Sequence, residues 1–231
     1  MRPTPAVCLD SSALTTCTVP SYPMGVETVF LETIDGVAIE ADLIRTDAAI
    51  PRAVVIIGHP HPQFGGDKNS HVVRALQEAA FSADCHSIAI DFRGVGNSGG
   101  FHDDGDSERL DLAAAIELAD MVEPECPIIM SGYSFGAMVA LNVTHPLIAS
   151  WVAVAPPLSL MPASPLAASN YRPKFVVAAE HDQYTQPEAM QAAMQTWTNT
   201  TIDVAKGVDH FFAVDALSNC SEAITKALNS L

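Results

Sequence analysis

Basic residues are scarce in this chain: 11 Lys and Arg stand against 27 Asp and Glu, a formal net charge of −16. That balance argues against a nucleic-acid partner or an anionic membrane surface, because phosphate binding needs clustered Lys and Arg. Long apolar runs are also missing, and none approaches the ~20 residues that span a bilayer. The five cysteines (Cys8, Cys17, Cys85, Cys126, Cys220) are odd in number, scattered, and without a CxxC pair. This argues against a disulfide framework and against a zinc ribbon. The first residues carry an Arg but lack the apolar core of a signal peptide, so the expected setting is reduced and cytoplasmic. What is abundant is apolar: 48% of the chain is hydrophobic and only 16% charged, which excludes bulk disorder. A chain of 231 residues is long enough to bury one substantial core.

The chain shows no internal repeat, low-complexity tract or charged linker. Residues 1–24, rich in Ser, Thr and Pro, read as an N-terminal extension; 25–231 read as a single domain. Two alternating segments, 26–34 and 37–44, flank Asp35-Gly36, a turn dipeptide, and so predict an antiparallel hairpin. Five short runs follow that are apolar almost throughout: AVVII at 53–57, SIAI at 87–90, PIIM at 127–130, WVAV at 151–154 and FVVAA at 175–179. Runs without alternation suit strands buried on both faces. Between and after them, segments 70–83, 108–121, 135–144, 188–197 and 216–231 carry apolar residues at i, i+3, i+4 spacing, as amphipathic helices do. Strand and helix in alternation predict an α/β fold with a doubly wound, mostly parallel sheet, entered through the hairpin. Chemistry in such a sheet sits at the carboxyl ends of the strands.

The residues that follow the strands are therefore the informative ones. Gly132-Tyr133-Ser134-Phe135-Gly136 lies between a strand and a helix, the context in which G-x-S-x-G lifts a serine hydroxyl above the sheet. Ser134 is the candidate nucleophile. A serine needs a base, and the base needs a group to orient it, in the chain order serine, acid, histidine. Of the eight histidines only His145, His181 and His210 follow Ser134. His145 closes the helix that begins at Ser134, and His181 precedes the favoured acid, which leaves His210. Asp182, just past the strand at 175–179, is the candidate acid, with Glu180 as its rival. The loop Gly58-His59-Pro60-His61-Pro62-Gln63-Phe64-Gly65-Gly66 follows the strand at 53–57, where one oxyanion donor belongs; the other is the N–H of Phe135. Pro60 and Pro62 have no N–H to give, so His61, Gln63, Phe64, Gly65 and Gly66 remain. His59 and His61 alone do not make a metal site, since no third ligand stands at a matching spacing. Gly94-Val95-Gly96-Asn97-Ser98-Gly99 matches a dinucleotide fingerprint but does not open a helix, and it runs into Asp103, Asp104 and Asp106, which would repel a pyrophosphate. It reads as a structural turn, and the acidic stretch as a solvated loop before the next helix.

Taken together, GHPHPQFGG at 58–66, DFRGVGNSGG at 91–100, GYSFGA at 132–137, AAEHD at 178–182 and VDHFF at 208–212 resemble the α/β-hydrolase superfamily. Within it, the chain is similar to the small, lidless, dienelactone-hydrolase-like serine hydrolases with an HPHP loop. The resemblance implies a Ser134–His210–Asp182 triad, with the N–H groups of His61 and Phe135 as the oxyanion hole. It also implies a third strand between those that follow Cys85 and Cys126, leaving these Cα atoms ~9–10 Å apart, beyond disulfide reach.

The resulting expectation is an esterase without metal or cofactor, acting on a small-molecule ester or thioester as a monomer or homodimer. A thioesterase with the same triad, or a non-catalytic ligand-binding protein of the same fold, are the alternatives. The segment 158–172, broken by Pro162 and Pro165, is too short for a lid and predicts an open site for small or short acyl groups. Leu160 and Met161 would wall it, and Phe64, Tyr133 and Phe211 would narrow it.

Overall fold

A computed structural model describes residues 25–160 and 164–231. Met161, Cys8, Cys17 and the segment 1–24 lie outside the described residues. The hairpin forms from β1 (Val26–Glu32) and β2 (Ala38–Ile44), paired antiparallel from Val26 opposite Ile44 to Glu32 opposite Ala38. Its turn closes through Gly36, whose φ of 77° lies in the left-handed region, with the Gly36 N–H donating to the Thr33 carbonyl.

The apolar runs become β3 (Val54–Gly58), β4 (His86–Ile90), β5 (Ile128–Tyr133), β6 (Ile148–Val154) and β7 (Lys174–Ala179), and the sheet ends in β8 (Thr200–Ala205). The eight strands lie in the order β1-β2-β4-β3-β5-β6-β7-β8. β2 meets β4 antiparallel, and every pairing beyond that is parallel.

Both faces are covered, which is why these strands read as continuous apolar runs. Val54 and Ile56 of β3 point into one core, shared with α2 (Glu108–Val122), α3 (Phe135–Ala140) and α4 (Pro187–Met194). Val55 and Ile57 point into the other, shared with α1 (His71–Ser82) and α5 (Ala216–Leu228). Of the helices, α3 departs most from its expected span, ending at Ala140 rather than 144. The Leu141 carbonyl accepts the Ala167 N–H instead of continuing the helical ladder. Pro146 then disfavours a helical conformation at His145.

β3 separates β4 from β5, as expected, and Cys85, Cys126 and Cys220 are free and buried. Between β6 and β7 the described residues form two short 3-10 turns, Leu158–Leu160 and Leu166–Ser169, in place of a lid. No helix among the described residues is long and apolar enough to cross a membrane.

Candidate active site

Three glycines allow the strand β5 to turn sharply into α3. A Cβ on Gly132 would stand 2.4 Å from the Gly136 carbonyl carbon. One on Gly136 would stand 2.2 Å from the Gly58 carbonyl oxygen, and one on Gly58 would meet Phe92 at 2.9 Å. The backbones of β3 and α3 therefore touch where side chains would hold them apart. Between the glycines Ser134 is forced to φ 53°, ψ −117°, and its N–H donates to the Val154 carbonyl at 2.8 Å. Strain of this kind costs about 1–3 kcal/mol and persists only where the surroundings over-determine it.

The structure brings Ser134, His210 and Asp182 into one hydrogen-bonded line. Ser134 Oγ is 2.8 Å from His210 Nε2, and His210 Nδ1 is 2.8 Å from Asp182 Oδ2. Asp182 Oδ1 accepts the N–H groups of Tyr184 (2.8 Å) and Thr185 (3.0 Å), so the fully buried carboxylate is held at both oxygens. Burial works to raise the Asp182 carboxyl. The hydrogen bond from His210 and the two backbone donors outweigh it and hold the group below its ordinary value. Glu180 is occupied elsewhere: its oxygens take Lys206 Nζ and the Gly207 N–H, both at 2.8 Å, and do not reach His210.

The loop carrying His210 is fixed from two sides. Tyr133 Oη donates to the His210 carbonyl at 2.9 Å, and His71 Nε2 bonds the carbonyls of Phe211 and Phe212 at 2.7 and 3.1 Å. The turn from β5 into α3 (the elbow) and the start of α1 thus hold the same loop.

The HPHP loop is ordered by a different histidine from the one that lines the site. His59 is buried, with Nδ1 against the Pro60 carbonyl (2.6 Å) and Nε2 accepting the Phe92 N–H (3.0 Å). The first contact requires a donor and the second an acceptor, so the ring is neutral with its proton on Nδ1. Burial pushes its pKa down to about 4. At the far end of the loop, Lys68 is anchored between buried carboxylates. Its N–H and Nζ bond Asp91 at 2.8 and 3.1 Å, and Nζ stands 3.0 Å from Glu40. Gly66 must be glycine, since a Cβ there would meet the Pro60 carbonyl oxygen at 2.1 Å.

His61 and Phe135 line the same cavity as Ser134, and their rings pack 5.0 Å apart. Phe135 opens α3, so its N–H has no intrahelical acceptor. The His61 N–H has no backbone acceptor among the described residues. His102 packs against the two rings, 4.9 Å from His61 and 5.2 Å from Phe135. Beneath it, buried Glu108 accepts the N–H groups of Asp103 (2.8 Å) and Gly105 (2.9 Å). Glu108 Oε1 is also 2.7 Å from His102 Nδ1.

Asp103, Asp104 and Asp106 are exposed, as expected of a solvated loop. The turn at 94–99 opens no helix and ties β4 to β2: Gly99 N–H donates to the Ala38 carbonyl, and Asn97 binds Glu40. No cluster of three potential metal-ligating side chains occurs among the described residues.

Sequence reasoning missed Tyr184, whose ring packs edge-on at 4.5 Å from His210 and lines the cavity. Its position two residues past Asp182 was the available signal. The cavity, about 240 Å³, is walled by Phe64, Leu160, Tyr184 and Phe211 as well as His61, Ser134, Phe135 and His210.

A profile of the alpha/beta hydrolase family matches residues 59–175. The solved structure of an alpha-beta serine hydrolase homologue from Coxiella burnetii is similar, with 27% identity and a TM-score of 0.77 over 91% of this chain and all of that one. An α/β serine hydrolase without a lid from Xanthomonas campestris shares the fold at 24% identity, with a TM-score of 0.77 over 91% of this chain and 96% of its own. An uncharacterised protein of Rickettsia prowazekii is 27% identical over 200 residues, 79% of each chain. The matched profile covers half the chain, from the HPHP loop through the elbow to the start of β7, and the lidless fold continues around it: the chain belongs to the alpha/beta hydrolase family.

Proposed function

We propose that this protein is a serine carboxylester hydrolase for small or short acyl groups, working through an acyl-enzyme at Ser134. The observation that carries this reading is the unbroken line Ser134 Oγ–His210 Nε2–His210 Nδ1–Asp182 Oδ2, each contact 2.8 Å. Asp182 accepts from Nδ1–H, which leaves the Nε2 lone pair facing Ser134 Oγ. His210 takes the serine proton as Oγ attacks the ester carbonyl, and Asp182 stabilises the imidazolium that forms. Charge developing on the carbonyl oxygen is met by the N–H groups of His61 and Phe135, each such donor typically contributing ~10²–10³ in rate. The protonated His210 then hands its proton to the leaving oxygen, and water enters by the same base to release the acid.

The preference for small acyl groups rests on the cavity, whose roughly 240 Å³ must hold the acyl and alcohol portions together and falls below the ~300–1,000 Å³ usual for sites that hold drug-sized ligands. Among its described residues, the connection between β6 and β7 forms only two short 3-10 turns.

The test is a hydrolysis screen with p-nitrophenyl esters from two to twelve acyl carbons and matched thioesters, run beside Ser134→Ala. The expected result is turnover of the acetyl ester, kcat/KM flat or falling beyond a few carbons, and a loss of several orders of magnitude in the variant. A steady rise to twelve carbons would overturn the short-acyl reading, and undiminished turnover by Ser134→Ala would overturn the nucleophile. Thioesters hydrolysed far better than oxygen esters would move the substrate class while leaving the triad in place.

A further inference from the structure

Two half-exposed aromatic side chains flank the base. Tyr184 is 48% exposed and Phe211 52% exposed, although His210 itself is buried. Their ring centroids lie 4.5 and 5.8 Å from the imidazole, at interplanar angles of 63° and 87°, and both line the cavity. Single exposed aromatics are ordinary on a protein surface. Two set against the same imidazole, and open to the same cavity, are not scattered.

What they face follows from the chemistry, on the reading of the site as an ester hydrolase. When the tetrahedral intermediate collapses, the bond from the acyl carbon to the leaving oxygen breaks and its electron pair goes to that oxygen. The leaving oxygen takes the proton held on His210 Nε2, so it lies within hydrogen-bond reach of that atom. The group attached to it then lies against whatever surrounds His210. The carbonyl oxygen is directed the other way, toward the N–H groups of His61 and Phe135. The exposed rings at His210 are therefore on the leaving-group side rather than the acyl side.

We infer that Tyr184 and Phe211 form a leaving-group subsite for a planar aromatic alcohol portion, so that the preferred substrates are short-acyl esters of aryl or arylmethyl alcohols. Ring–ring contacts in offset or edge-to-face geometry exceed plain area burial by an amount equivalent to roughly two- to tenfold in binding. A saturated ring of the same size receives the area term alone.

The experiment compares benzyl acetate with cyclohexylmethyl acetate, using the full chain. The two share an acyl group, and hence an acyl-enzyme, and their alcohols are close in size and acidity. The readout is the ratio of their kcat/KM values, which does not depend on the amount of active enzyme. The expected ratio is about two- to tenfold in favour of benzyl, falling toward one in Phe211→Leu and Tyr184→Leu and reaching it in the double variant. Benzyl alcohol should likewise inhibit the unmodified protein more tightly than cyclohexylmethanol, which keeps the test decisive if a variant fails to fold. A ratio near one in the unmodified protein, equal inhibition by the two alcohols, or a ratio that survives the double variant would overturn the subsite while leaving the esterase reading intact. A folded protein that turns over neither ester, nor methyl acetate, would overturn the esterase reading itself and the subsite with it.

Discussion

Replacing Asp182 by Asn tests the proposed acid in a way the structure makes quantitative. Asp182 Oδ1 accepts two backbone N–H groups, from Tyr184 and Thr185, at 2.8 and 3.0 Å. An asparagine must keep its carbonyl oxygen on those donors, because turning the amide would set NH₂ against two N–H groups. The amide NH₂ is then forced to face His210 Nδ1. Nδ1 becomes an acceptor, the ring proton moves to Nε2, and the atom facing Ser134 Oγ can no longer take a proton. The heavy-atom geometry survives while the tautomer is wrong. Loss of a triad acid by this route lowers kcat by about 10⁴, or about 5.4 kcal/mol at ~1.36 kcal/mol per decade. KM for p-nitrophenyl acetate should change little, since no substrate contact is removed. Glu180→Gln serves as the comparison, because Glu180 is engaged by Lys206 and Gly207 at the surface; its kcat should stay within about threefold of the unmodified enzyme. Steady-state kinetics on both variants, with circular dichroism to confirm folding, decide the matter. An Asp182→Asn enzyme within tenfold of the parent, or a Glu180→Gln enzyme that is the more damaged of the two, would refute the reasoning.

Other perturbations follow from the same contacts. His59 has its pKa pushed down to about 4 by burial, against 6.5 when unfolded, so between pH 6.5 and 4 the unfolded chain binds more protons than the folded one. The stability tied to the neutral ring is complete above pH 6.5 and is lost as pH falls toward 4. By linkage the loss is about 2 kcal/mol at pH 5, and urea titrations at pH 8 and pH 5 should show a drop larger by about that amount in the parent than in His59→Gln. Gly136→Ala drives a Cβ to 2.2 Å from the Gly58 carbonyl oxygen, and should cost on the order of 3 kcal/mol or more, or abolish soluble expression. A Tm within 2 °C of the parent would contradict the backbone contact between β3 and α3. Glu108→Ala leaves the N–H groups of Asp103 and Gly105 without their acceptor and removes the anchor beneath His102. A loss of about 2–3 kcal/mol, or roughly 5–10 °C in Tm for a chain of this size, is expected by thermal denaturation.

The parts of the fold that were legible in the sequence are those set by local pattern. β3, β5 and β7 are apolar almost throughout, Ser131 and Lys174 apart, because a parallel sheet covered on both faces gives every residue a buried environment. Ser134 was legible because the glycines that permit its turn are its near neighbours, and His210 because chain order left no rival. Asp182 and Glu180 were separable only by geometry: both lie just past β7, and it is the partners at Lys206 and Gly207 that remove Glu180. The remainder depended on contacts between distant segments. His59 bonds Phe92 across 33 positions, and Lys68 bonds Asp91 across 23. Neither partner carries a mark of the other in its own neighbourhood. The early end of α3 has the same origin, since the Ala167 N–H that draws away the Leu141 carbonyl belongs to the connection between β6 and β7. The burial of Glu108, which opens α2 beside a loop of exposed acids, was hidden for the opposite reason: composition marked that loop as solvated, and only backbone geometry folds two of its N–H groups onto the Glu108 carboxylate.

The central claim is that Ser134 is a serine activated by His210. Its most direct test is covalent labelling with a fluorophosphonate, followed by intact-mass measurement and peptide mapping. One adduct per chain is expected, on Ser134, formed rapidly by the parent, absent in Ser134→Ala and slowed by orders of magnitude in His210→Ala. A folded parent that stays unlabelled at pH 8–9, or an adduct mapped to another residue, would contradict it.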